Sequence, residues 1–218
     1  MRNRPYIIFT ISVICIIFIY SFLFKDSRSG ALSKRQNLTY VLGTEISKRF
    51  PNKNVIILAN PFKRHSHSDF DLKGITGLKD GLEDSTKVQV VYPKIIEQYK
   101  ANPGAVPLPI DTKTPLSFMI NTLALDDAIG KYQDHSVIVS LIGIPFGVQK
   151  TKFWNSNFYK LVLIEPDFRV LGNLNNAKNA FYTDKISLVC LHNDQKVNII
   201  DKSNIINILN NKKYMLGF

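Results

Sequence analysis

The segment Val55-Ile56-Ile57-Leu58-Ala59, followed at once by Asn60-Pro61-Phe62-Lys63, decides the reading of this chain. Five consecutive apolar residues, mostly β-branched, are too few for a helix of ordinary length and too uniformly apolar for a strand with one wet face. They read as a strand buried on both sides, stopped by a proline. Val88, Val90, Val91 and Tyr92 give a second such run, Val137 to Ile142 a third, Leu161 to Ile164 a fourth and Ile186 to Leu191 a fifth. Between them apolar residues recur at helical spacing. Leu38, Val41, Leu42, Ile46 and Phe50 mark a helix over about 32–50, and Ile75, Leu78 and Leu82 a short one after a polar loop from Pro61 to Asp71. Pro115 opens a helix reaching about Tyr132, with Leu116, Met119, Ile120, Leu123 and Ile129 inward. Residues 168–181 form another, and Ile205, Ile206 and Leu209 a last one. Strands apolar on both faces that alternate with helices predict a three-layer, Rossmann-like α/β domain: a mostly parallel sheet with helices on both faces.

The prolines give this sheet a candidate site. The strand ends read Asn60-Pro61-Phe62-Lys63, Tyr92-Pro93-Lys94, Gly143-Ile144-Pro145-Phe146-Gly147 and Glu165-Pro166-Asp167, and the fifth ends in His192-Asn193-Asp194. Open α/β sheets bind ligands at the carboxyl ends of their strands. Asn60, Lys63, Tyr92, Glu165, Asp167, His192 and Asn193 are therefore expected to face one crevice. The competing reading is that proline only punctuates the αβ units.

The order of these pieces resembles one lobe of the type I periplasmic binding proteins, which capture sugars and related small solutes. The resemblance is carried by Val55 to Phe62, by Gly74-Ile75-Thr76-Gly77-Leu78-Lys79-Asp80-Gly81-Leu82 and by Val88 to Tyr92, with residues 137–147 and 161–191 similar to later strand-helix units. It implies that the loops after strands one and three face a ligand, which means Asn60, Phe62, Gly143, Pro145 and Phe146. It also marks a departure. That family closes two lobes over its ligand, and this chain has room for hardly more than one, so a partner chain or self-association would complete a clamp.

Outward from the domain, Pro5 to Phe24 holds no charged residue and is mostly Ile, Phe, Val, Leu and Tyr. About 20 such residues span a hydrocarbon core of ~30 Å. The stretch is longer than a secretory signal's apolar region, and the only small-residue cleavage match, Ser29-Gly30-Ala31, lies beyond Lys25, Asp26 and Arg28. We read residues 1–24 as a single-pass membrane anchor, 25–31 as a short linker and 32–218 as one α/β domain. Arg2 and Arg4 favour a cytoplasmic N-terminus and an extracytoplasmic domain, against the pull of Lys25, Arg28, Lys34 and Arg35. Those four would also hold the domain near anionic headgroups.

Composition narrows the function classes. At 45% hydrophobic and 21% charged, the chain is an ordered globular protein. Its net charge of +11 is spread without a long basic block, so nucleic acid is not the expected partner. Cys15 sits in the apolar span and Cys190 in a strand, so no disulfide framework is expected, and Cys190 reads as a buried thiol. Gly74, Gly77 and Gly81 lie on a helix and not at a strand-to-helix turn, so they form no phosphate loop and instead permit close packing on the sheet. His65, His67, Asp69 and Asp71 alternate and would point to one side if extended, but no known metal spacing fits them. No metal or cofactor is expected. The expected function is a membrane-anchored, non-enzymatic domain that binds a small ligand or a protein partner. The alternatives are an envelope assembly protein, or an enzyme using Glu165, Asp167 or His192 as acid or base.

Overall fold

The computed structural model describes residues 29–61, 65–95, 116–193 and 196–206. Residues 29–49 are helical (α1). Strand β1 is Asn54–Leu58, helix α2 His65–Gly81 and strand β2 Val88–Val91. Two helices follow, α3 (Leu116–Met119) and α4 (Thr122–Gly130), then β3 (His135–Ser140), the short α5 (Lys152–Asn155) and β4 (Lys160–Ile164). Helix α6 (Leu174–Tyr182), β5 (Ile186–Asn193) and β6 (Lys196–Ile200) complete the order.

The six strands form one sheet in the order β2-β1-β3-β4-β5-β6. The first five are parallel and β6 is antiparallel to β5. Alternation along each strand divides the core in two. Val55, Ile57, Val137, Val139, Val162, Ile164, Leu188 and Cys190 face Leu38, Leu42 and Ile46 of α1 and Ile75 and Leu78 of α2. Ile56, Leu58, Ile138, Leu161, Leu163 and Val189 face Leu125 and Ile129 of α4 and Ala177, Ala180 and Phe181 of α6. The three-layer α/β architecture expected from the sequence is therefore present.

Several local expectations differ from what is observed. The expected loop at 61–71 is largely helix, because α2 begins at His65. A helical backbone turns successive residues by about 100°, so alternating side chains fall on opposite sides and not together. The extended backbone that a one-sided array of His65, His67, Asp69 and Asp71 requires is therefore not present, and among the described residues no group of three or more such ligands gathers for a metal. The single helix expected from 115 to 132 is two. Ile120 breaks it by bridging to Ile95, and Asn121 restarts it, its side chain accepting from the Ala124 amide at 3.1 Å. Leu123 is 72% exposed and not inward. Helix α6 starts later than expected, at Leu174 under an Asn173 cap, and a short 3-10 turn, Phe168–Leu171, precedes it. Strand β6 was not expected. Of the last predicted helix only 205 and 206 are described, and both are helical.

The glycines of α2 serve a different neighbour from the one expected. A Cβ on Gly77 would meet the Gln36 carbonyl oxygen at 2.1 Å, and one on Gly81 the Tyr40 carbonyl oxygen at 2.2 Å. Both contacts are to the backbone of α1. The spacing permits two helices to cross at backbone contact, and the sheet lies beneath both.

Candidate ligand crevice

The strand order makes β1 and β3 neighbours and sends the connections from them to opposite sides, the arrangement that leaves a crevice at the carboxyl ends. A cavity of about 310 Å³ lies there. Its wall includes Arg35, Asn60, Phe70, Asp71, Ser117, Gly143, Glu165 and Asp167, with Leu141, Ile142 and Ile164 supplying apolar surface.

Each strand end is shaped locally. After β1, the Ala59 amide donates to the Val91 carbonyl at 3.0 Å, and Pro61 then leaves no amide to continue the ladder. After β3, the Leu141 amide donates to the Leu58 carbonyl at 3.0 Å. The buried Ser140 hydroxyl turns the chain by donating to the Gly143 carbonyl at 2.6 Å. Gly143 has φ 81°, a conformation that glycine adopts without strain. After β4, Glu165 sits at φ 45°, where a side chain is strained by about 1–2 kcal/mol. Its amide is held by the Cys190 carbonyl at 3.0 Å. Asp167 caps the following 3-10 turn, accepting from the Arg169 amide at 3.0 Å and from the Arg169 guanidinium at 2.7 Å. That guanidinium holds the Asp167 carboxyl below its usual range.

Arg35 dominates the electrostatics. It is 6% exposed, and its Nη2 donates to the Leu141 carbonyl at 3.3 Å. Its Nε, shielded from solvent, has no partner among the described residues. The Phe70 ring lies 4.9 Å from the guanidinium carbon, a cation–π contact. Burial lowers the Arg35 pKa from its ordinary value, while Glu165 and Asp71 act to raise it. Space for the side chain comes from Gly74, where a Cβ would stand 3.2 Å from Nε.

Of the sequence candidates, Asn60, Gly143, Glu165 and Asp167 line this crevice together. Pro145 is buried beside it, and Phe146 and Tyr92 are 57% and 58% exposed on the same edge, outside the lining. His192 and Asn193 belong to the β5–β6 hairpin, opposite Val197 and Lys196 in register, and His192 is not among the described residues that line the crevice. Phe62 and Lys63 lie outside the described residues. The sequence reading missed Arg35, Phe70, Asp71 and Ser117. Arg35 was placed at a membrane surface, yet it is buried. The signal was present: residue 35 precedes Leu38, Leu42 and Ile46 by the same three-and-four spacing, so an arginine sits on the buried stripe. Cys190 is fully buried, with its thiol pushed up to about 12 by desolvation. Phe153 is core, and Trp154 and Tyr159 pack against it.

No protein-family model matches this chain, and no curated protein matches its sequence. Solved structures match in fold. A carbohydrate transporter from Acidothermus cellulolyticus 11B, in complex with myo-inositol, aligns with TM-score 0.51 and 8% identity over 81% of this chain and 60% of its own. GanP, a glucose-galactose binding protein from Geobacillus stearothermophilus, aligns with TM-score 0.51 and 7% identity over 78% of this chain and 61% of its own. A periplasmic ribose ABC transporter from Conexibacter woesei DSM 14684 gives TM-score 0.49 and 11% identity over 84% and 62%. The chain thus spans about three-fifths of the length of these proteins. Identities this low speak to fold alone, and at that level the expected likeness holds: the chain folds as periplasmic sugar-binding proteins of type I do.

Proposed function

We propose that this protein is a membrane-anchored, non-enzymatic solute-binding lobe that takes a small polar ligand at the carboxyl ends of β1, β3 and β4. One observation carries the reading: polar and charged side chains from the ends of β1 and β4 and from three helices, α1, α2 and α3, converge on a single cavity at the switch between β1 and β3. Its volume of about 310 Å³ suits a small solute. The fold-level neighbours include one solved with myo-inositol and one described as binding glucose and galactose, which supports the same class of site. Residues 5–24 serve as the anchor, outside the described residues. Among the described residues no helix is long and apolar enough to cross a membrane. The domain lies on the extracytoplasmic side.

The test is calorimetry on the full chain in lipid nanodiscs against a panel of small solutes, neutral sugars and polyols included, with Asn60→Ala as the control for the site. Saturable binding that the substitution weakens supports the proposal. No binding by any solute at millimolar concentration overturns it. Protease protection on intact cells tests the orientation, and a protected domain would contradict the extracytoplasmic placement. A second reading, docking of a protein partner, is favoured by the exposed Tyr92, Leu123 and Phe146 around the same edge.

A further inference from the structure

We infer that the β2–β3 side of the sheet's carboxyl edge is a membrane-docking surface, on which Tyr92, Leu123 and Phe146 enter the lipid headgroup region beside Lys94 and Lys150. The inference rests on the anchored reading above and names the surface that the anchored domain turns to the bilayer.

The three apolar side chains come from different connections that hydrogen bonds gather at one place. The Asn121 amide donates to the Lys94 carbonyl at 2.9 Å, which ties the segment after β2 to the start of α4. The Phe146 amide donates to the Ser117 carbonyl at 2.9 Å, and a Cβ on Gly147 would stand 3.9 Å from Thr122 Oγ1, so the segment after β3 meets the same helix start. On that frame Leu123 is 72% exposed, Tyr92 58% and Phe146 57%, and the first two are the most exposed large apolar side chains among the described residues. Their neighbours Pro93, Ile95, Ile120 and Pro145 are buried, so the patch stands on a packed base. Lys94 and Lys150 are exposed beside it. A tyrosine places its ring and hydroxyl at headgroup depth, and lysines near a bilayer are drawn to anionic lipid. The carboxylates of the crevice belong to other elements: Glu165 and Asp167 follow β4, and Asp71 is in α2.

The course of α1 decides for a bilayer over a protein. Arg35 reaches the Leu141 carbonyl just past β3, so this part of α1 lies at the carboxyl edge. Further helix, about 9 Å at a rise of about 1.5 Å per residue, carries α1 back to residue 29. Residues 29–31 are exposed, and nothing stands within 4 Å of a Cβ on Gly30, so the helix leaves the domain from that edge. The uncharged stretch Pro5 to Phe24 ends at most about 18 Å of chain before residue 29. An edge tethered on so short a chain has lipid as its nearest cover.

The experiment places the full chain in nanodiscs of equal parts phosphatidylcholine and phosphatidylglycerol, with acyl chains either plain or brominated. Tyr92→Trp, Leu123→Trp and Phe146→Trp report on the patch, and Tyr182→Trp, at the last residue of α6, reports on an exposed site at the opposite edge. The parent, whose one tryptophan is Trp154, gives the background. Side chains of an interfacial face sit about 5–10 Å into the headgroup and acyl boundary, so brominated lipid should remove about half or more of the emission added by each patch reporter, and little of that added by Tyr182→Trp. Quenching of the patch reporters no greater than that of Tyr182→Trp overturns the inference. So does emission shifted to the blue without quenching, which means that a second copy of the chain covers the patch. Extraction with alkaline carbonate separates this inference from the reading beneath it. A chain that stays with the lipid but shows no quenching keeps the anchor and loses the docking surface. A chain that is extracted loses the anchor, and the docking surface falls with it.

Discussion

Gly77→Ala is the perturbation whose sign the structure decides most sharply. In an exposed helix interior the change stabilises by about 1 kcal/mol, because alanine loses less entropy on folding. In α2 the new methyl would sit 2.1 Å from the Gln36 carbonyl oxygen and 2.4 Å from Thr39 Oγ1. Neither atom can swing away. The first is backbone, and the Thr39 hydroxyl is committed to the Arg35 and Gln36 carbonyls at 3.0 Å each. Ordinary contact begins near 3.4 Å, so α1 and α2 must part by about 1.3 Å. Leu38, Leu42 and Leu78, all 3% exposed or less, pack in the layer that this opens. A gap of that size forfeits more than half of each dispersion contact across it. Overpacking of this kind costs about 1–3 kcal/mol and more where backbone must move. Against the propensity gain, we expect a net loss of about 2–3 kcal/mol, which in a domain of this size lowers the melting midpoint by roughly 5–10 °C. Urea and thermal melts followed by circular dichroism measure it. Gly130→Ala is the internal control: nothing lies within 4 Å of its Cβ position, so it should stabilise by about 0.4–1 kcal/mol. A Gly77→Ala protein as stable as the parent would refute the backbone-contact reading of the α1–α2 crossing.

Three further outcomes are expected. Glu165→Gly releases the strained φ of 45° and should raise stability by about 0.5–1 kcal/mol, the strain relief exceeding the entropy cost; a drop in the melting midpoint would contradict it. Cys190, with its pKa raised to about 12 by burial, should resist thiol reagents in the native protein and react fully in denaturant. The same shift has a pH consequence. The fold holds the thiol neutral, so the unfolded chain releases its proton first as pH rises past about 8.5, and stability should fall from there towards pH 12, by at most about 1.4 kcal/mol per unit. A Cys190→Ala protein should lack that part of the decline, and equal slopes for the two in urea melts at pH 8 and 10.5 would count against it.

How much of this was legible in the sequence follows from how local each feature is. The runs at 55–59, 137–142, 161–164 and 186–191 betray a buried parallel sheet because burial on both faces leaves, Ser140 and Ser187 apart, only apolar residues. Strand β6, Lys-Val-Asn-Ile-Ile at 196–200, is an edge strand with polar positions, and it is specified by pairing to β5 more than by its own composition. The start of α2 was hidden because His65 to Asp71 is polar but for Phe70 and carries no apolar stripe. Its helicity follows from the run of residues behind it. The break at Ile120-Asn121 depends on a bridge to Ile95, a contact no periodicity reports. The site divides the same way. Asn60, Gly143 and Glu165 announce themselves as strand ends, whereas Arg35, Phe70 and Asp71 arrive from two helices whose crossing the sequence does not display.

That crossing would join the proposed anchor to the crevice. Helices in an open α/β sheet run opposite to the strands, so the end of α1 that carries Arg35 lies at the carboxyl edge of the sheet, beside the loops after β1, β3 and β4. Arg35 is only six residues beyond residue 29, where the described helix is already formed. With the proposed anchor ending at residue 24, at most about 18 Å of chain separates it from residue 29. The edge of the sheet nearest the bilayer is then the edge that holds the crevice. A lobe tethered in this way would meet its solute at the membrane surface. Tyr92, Leu123 and Phe146, each more than half exposed, lie at the same edge, and under the proposed tether they would have interfacial surface to meet.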